Sequence, residues 1–158
     1  IGKKVTGEHY GTIGLKGGRL EMEDGKLTGG IFTIDMTSIR NEDLAEGSRE
    51  KLEGHLKSDD FFGVDKFPSA TFVITKVVPQ GGGQYKVLGN LTIKKNTEEI
   101  QFIALTEEKE GKIVAKADIS IDRSKFDVRY GSGSFFDNLG DKTIYDNFDL
   151  TVELVAAP

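Results

Sequence analysis

Two histidines, His9 and His55, and a few neighbouring carboxylates are the residues best suited to acid–base or metal chemistry. Asp59 and Asp60 follow His55 closely enough to share a site with it. A catalytic zinc needs about three protein ligands, and this spacing matches no metal motif, so no metal is expected. His9 then reads as a partner for a neighbouring strand and His55 as the cap of a helix end. Carboxylate pairs recur at Glu42-Asp43, Asp59-Asp60, Glu98-Glu99 and Glu107-Glu108. A glycosidase needs two carboxyls converging across a cleft, but adjacent strand residues point to opposite faces. These pairs read as solvated surface charge.

Nucleophilic chemistry fares no better. Gly131-Ser132-Gly133-Ser134 has the letters of a nucleophile elbow, but no alternating strand leads into it. Gly81-Gly82-Gly83 lacks the Lys-Ser/Thr of a phosphate loop. The chain has no cysteine, which excludes thiolates, disulfides and Cys-ligated metals. No base meets a nucleophile, so the expectation is a protein that is not an enzyme and carries no cofactor. Arg123 follows a strand. It either meets a polar ligand head at a barrel mouth or closes the barrel end through an ion pair or a carbonyl contact.

The bulk composition agrees. A chain of 158 residues with 37% hydrophobic and 30% charged residues suits one globular domain, here 1–158. Its net charge of −5, with scattered basic residues, argues against nucleic acid and against anionic lipid headgroups as partners. No apolar run reaches the ~20 residues of a membrane span. The chain opens at Ile1 rather than Met, as expected of a processed or trimmed product.

Strands must position whatever site exists. Apolar residues two apart put Phe32, Ile34 and Met36 on one face. The same alternation groups Phe72 with Ile74, and Val87 with Gly89 and Leu91. It marks Phe102 on the next strand, then Ala117, Ile119 and Ile121. Asp24-Gly25, Gly81-Gly82-Gly83 and Glu110-Gly111 read as hairpin turns. Asp43 through Leu56 reads as one inserted helix, with Asp43 and Glu46 as an N-terminal capping pair and Leu44, Leu52 and Leu56 on one face. The fold class is all-β: an antiparallel barrel of about eight strands with one inserted helix. A two-sheet sandwich has the same alternation.

Ten phenylalanines and no tryptophan stand out. Phe61, Phe62, Phe67, Phe126, Phe135 and Phe136 fall outside the strands, where they line or plug a channel entrance or fill the barrel ends. The predicted interior consists of the inward residues above. Small Gly89 and Ala117 leave room there, and Leu52, Leu56, Phe61 and Phe62 cover one mouth. His9, His55 and Arg123 form its polar rim.

Several stretches resemble one family. Gly29-Gly30-Ile31-Phe32-Thr33-Ile34-Asp35-Met36-Thr37-Ser38-Ile39 is similar to the G-G-x-F-x-x-D-M-x-S-I strand of the YceI family. Leu52-Glu53-Gly54-His55-Leu56-Lys57-Ser58-Asp59-Asp60-Phe61-Phe62 and Phe67-Pro68-Ser69-Ala70-Thr71-Phe72 match its most recognisable stretch. His9-Tyr10-Gly11-Thr12, Gly89-Asn90-Leu91-Thr92-Ile93 and Ile121-Asp122-Arg123-Ser124-Lys125-Phe126 also match. The family has Gly after the Leu-Thr-Ile-Lys strand, where this chain has Lys95-Asn96, and Asn96 is able to take a left-handed turn conformation. The family pattern begins somewhat earlier, so by the resemblance Ile1 stands in mid-strand at the barrel seam.

The resemblance implies a lipocalin-like barrel around an elongated apolar channel that binds or carries a polyisoprenoid, an isoprenoid quinone or a fatty-acid derivative. It implies a periplasmic or secreted protein and no catalytic residues, and it leaves a homodimer open. Two other readings remain: an enzyme acting on a bound lipid near His55, and a structural β domain with a filled core.

Overall fold

The computed structural model describes residues 1–157. Nine strands form one antiparallel sheet: β1 (Gly2–Lys4), β2 (Gly7–His9), β3 (Gly11–Glu23), β4 (Lys26–Asn41), β5 (Ser69–Gly81), β6 (Gln84–Ile93), β7 (Asn96–Lys109), β8 (Lys112–Asp122) and β9 (Ile144–Ala156). The helix α1 (Glu46–Lys57) is inserted between β4 and β5. The strand order is β2-β1-β9-β8-β7-β6-β5-β4-β3. Only Tyr10 separates β2 from β3 in sequence, so the two ends of the sheet join there and the sheet curls into a half-barrel.

Short turns explain the simple order of β3 to β9, because antiparallel neighbours need little connecting chain. Asp24 and Gly25 both have positive φ, as do Glu110 and Gly111, which suits the tight turn that a right-twisted hairpin prefers. Gly81, Gly82 and Gly83 all take positive φ in the β5–β6 turn. In the β6–β7 turn the left-handed residue is Lys94, at φ 57°, and not Asn96. Asn96 belongs to β7 and donates its side-chain amide to Phe126 O at 3.0 Å, a bond that holds it in the strand.

The helix also departs from expectation at its start. It begins at Glu46, and its N-cap is Ala45, with no side-chain cap. Asp43 is engaged elsewhere: its carboxylate accepts from Asn41 Nδ2 at 2.5 Å and from Tyr10 N–H at 3.2 Å, and it contacts His9 Nδ1 at 2.8 Å. Those partners lie outside the helix, so the predicted capping pair does not form. The Asp35-Met36-Thr37-Ser38 segment is a bulge in β4. Its pairing with β3 jumps from Gly14↔Asp35 to Thr12↔Arg40, and Ser38 Oγ bridges the gap by accepting from Gly14 N–H and donating to Asp35 O.

The core runs along the inside of the curl. At the helix end Met36, Phe61, Val64, Ala70, Leu91, Ile93, Ile121, Phe126 and Val128 are buried together, and the same cluster continues to Val87, Tyr85, Ala104 and Leu27 toward the hairpins. Along β3 only Leu20 is not exposed.

Candidate functional site

The concave face of the sheet is the candidate site. Side-chain direction has period two, and residues paired across antiparallel strands share a face. One inward row runs Phe32, Phe72, Leu91 across β4, β5 and β6. Beside it Ile74 pairs with Gly89, Val87 with Phe102, and Ala104 with Ala117. On the other wall Ile119 pairs with Leu150 and Ile121 with Phe148. The paired strand residues predicted to face inward therefore share this one surface, as does Ile34 through its partner Ala70, while Met36 lies in the β4 bulge and joins them through the buried core.

Burial divides that surface. Met36, Phe72, Val87, Leu91 and Ile121 are buried. Phe32, Ile34, Ile74, Phe102, Ala117 and Ile119 pack against them but stay only partly buried. The expectation that Gly89 leaves room for a ligand is corrected: a Cβ there would stand 2.6 Å from Val73 O and 2.5 Å from Phe72 Cζ, too close to both. The Phe72 ring fills that space and lies 5.6 Å from the Phe102 ring.

The helix covers less than expected. None of its residues is buried. Leu56 packs on the core, whereas Leu52 is half-buried and does not join it. The segment after α1 does the sealing. Phe61 is 5% exposed, and half-buried Phe62 places its ring 6.3 Å from Phe148. Phe126 is buried too, while Phe67 is half-buried and Phe135 and Phe136 are exposed, so the phenylalanines outside the strands fill one end rather than line an entrance together.

The three residues of the expected polar rim do not form one rim. Arg123 is 3% exposed and lies 5.5 Å from the Phe61 ring centroid. Its guanidinium donates to Val128 O at 2.8 Å, Ile144 O at 2.9 Å and Tyr145 O at 3.2 Å. Burial lowers its pKa, and the carboxylates of Asp146 and Asp122 oppose that fall. Of the two roles open to Arg123, the structure shows the carbonyl contact that closes the barrel end.

His55 shares this region. It stands edge-on to Phe61 at 5.0 Å and to Tyr130 at 4.4 Å, with Asp60 Oδ2 3.2 Å from its Nε2. His9 sits apart with Asp43, whose pKa falls to about 2. The His9 bond lowers it most; partial desolvation raises it, and the Asn41 and Tyr10 bonds lower it further. No group of three metal-ligating side chains occurs among the described residues.

Two features were missed. Asp146 accepts from the hydroxyls of Ser132 and Ser134 and so pins the loop that precedes β9. Burial pushes its pKa up, but those two bonds and Arg123 hold it below the usual carboxylate value. Nothing in sequence spacing marks a loop serine for this role. Tyr85, 7% exposed at an inward position of β6, was legible from the alternation of Tyr85-Lys86-Val87.

The family model described as YceI-like domain matches residues 2–156. A UPF0312 protein of Vibrio cholerae is 34% identical over 98 residues, an alignment covering 58% of this chain and 50% of that protein. A UPF0312 protein of Staphylococcus aureus is 51% identical over 53 residues, covering 34% of this chain and 28% of that one. The chain spans about half the length of the curated relatives it matches. Among solved structures, Burkholderia cenocepacia BcnA superposes with a TM-score of 0.73 at 26% identity, covering 89% of this chain and 83% of that one. A Campylobacter jejuni YceI protein gives 0.69 at 20% identity, covering 100% and 84%, which bears on fold alone.

Proposed function

The chain belongs to the YceI-like domain family, and on that premise we propose that it binds and carries a long apolar lipid on the concave face of its sheet. The observation that carries this reading is the set of inward residues that stay incompletely covered. Phe32, Ile34, Ile74, Phe102, Ala117 and Ile119 line one continuous surface, pack against the core, and still expose apolar area. Apolar area kept at the solvent boundary marks a binding surface more often than a finished core. An alkyl or isoprenoid chain laid along it gains roughly 25 cal/mol per Å² removed from water, with no activated group required.

This function is binding, without catalysis and without a cofactor. The arrangement at His55 supports that view, since its ring contacts Phe61, Tyr130 and Asp60, while the Ser58 hydroxyl bonds to the His55 carbonyl and not to its imidazole. The resemblance supports a periplasmic or secreted setting and a polyisoprenoid, quinone or fatty-acid derivative as cargo. No helix among the described residues is long and apolar enough to cross a membrane.

Native mass spectrometry of protein purified from its own host tests the reading. A co-purified apolar mass, released by organic extraction and rebound on return, is the expected result. A clean apo mass together with no uptake of a neutral naphthylamine fluorophore would overturn it. Ester hydrolysis that disappears in His55→Ala would overturn the absence of catalysis.

A further inference from the structure

The polar groups of the concave face say which kind of head the ligand carries. On the inner face of β6 and β7, Asn96 donates to Phe126 O and Thr106 donates to Gly83 O at 3.1 Å, so both are satisfied within the protein. Glu98, paired with Leu91, and Glu108, paired with Ile113, are exposed. Tyr85 differs from all four. It is 7% exposed, and that residual exposure reaches its hydroxyl, which makes no hydrogen bond to any described residue. A hydroxyl that meets water on an otherwise buried ring is a donor with no protein partner, free to be taken over by a ligand oxygen.

The surroundings of Tyr85 favour a ligand as that partner. Its cross-strand neighbours are Pro79 on β5 and Ala104 on β7, and Ala104 pairs in turn with Ala117 on β8. Two consecutive alanines form a low stretch of wall beside the ring. Tyr85 also stands next to the Gly81-Gly82-Gly83 turn, at the hairpin end of the curl and away from the end sealed by Phe61, Phe126 and Arg123. No Lys or Arg occupies an inward position on β5 to β9, as judged from their pairing. An anionic head would thus meet no countercharge along this wall, and the nearest ionisable groups of the face are carboxylates.

We propose that Tyr85 is the hydrogen-bond donor for an uncharged polar end of the ligand, a carbonyl or hydroxyl oxygen, seated over Ala104 and Ala117 at the hairpin end. The chain of the ligand then runs toward Phe102 and Ile119. The assignment rests on the lipid-binding reading above and adds the chemistry and orientation of the head.

The test is Tyr85→Phe, which removes the hydroxyl and keeps the ring. Affinities are measured by displacement of a neutral naphthylamine fluorophore with a long-chain methyl ketone and with the alkane of equal length. The expected result is a loss of up to about tenfold for the ketone, no loss for the alkane, and an unchanged melting temperature because the hydroxyl has no protein partner. Equal affinities of variant and wild type for the ketone, or equal losses for ketone and alkane, overturn the assignment of Tyr85 alone. Failure of the wild type to bind either probe overturns it together with the lipid-binding reading.

Discussion

The ring of Phe72 occupies the space above Gly89: a Cβ on Gly89 would stand 2.5 Å from Phe72 Cζ and 2.6 Å from its Cε1. The missing side chain of β6 is replaced by a ring from β5, which seals that part of the concave wall. Gly89→Ala should therefore overpack the wall and cost ~1–3 kcal/mol, read from the urea midpoint. Adding Phe72→Leu should recover part of the loss, since the two residues are in contact. An unchanged midpoint in the single variant would show that the ring moves freely.

Ala117 should behave in the opposite way. It faces inward but is only partly buried. Ala117→Phe should leave stability within about 1 kcal/mol of wild type, because the new ring fills open space rather than packed core. Uptake of a fluorescent long-chain probe should drop sharply. Strong destabilisation with unchanged uptake would place the ligand elsewhere.

Asp43 makes stability acid-sensitive. Its pKa is about 2 in the folded chain against an ordinary 3.8. Between those values the unfolded chain binds more protons, so the Asp43 contribution is complete above the ordinary value and is lost as pH falls toward about 2. Asp43→Asn should flatten the decline of melting temperature over that window. A parallel decline in variant and wild type would remove Asp43 as a source.

Arg123→Lys should be costly despite keeping the charge. A lysine ammonium cannot reproduce the fork that serves the carbonyls of Val128, Ile144 and Tyr145. Buried carbonyls left without donors should cost ~3 kcal/mol in chemical denaturation. A near-neutral effect would mean that water replaces the guanidinium.

The amino-acid sequence by itself determined the faces of the strands. Phe32, Ile34, Phe72, Val87, Phe102, Ile119 and Ile121 share one surface because side-chain direction alternates along any extended chain, whatever packs against it. The hairpins at Asp24-Gly25 and Glu110-Gly111 were equally local, set by residues that tolerate positive φ. Tertiary structure decided what local preference left open. Asp43 could cap a helix or bind His9 and Asn41, and only the approach of β2 and Tyr10 selected the second. Gly89 could be a void or a seat for a ring, and only the β5–β6 register put Phe72 over it. Arg123 could meet a ligand or the main chain, and only the fold of Val128, Ile144 and Tyr145 around it settled the matter. The physical reason is common to all three: the local sequence suits two arrangements at each position, and which one forms depends on chain segments that only the fold brings within reach.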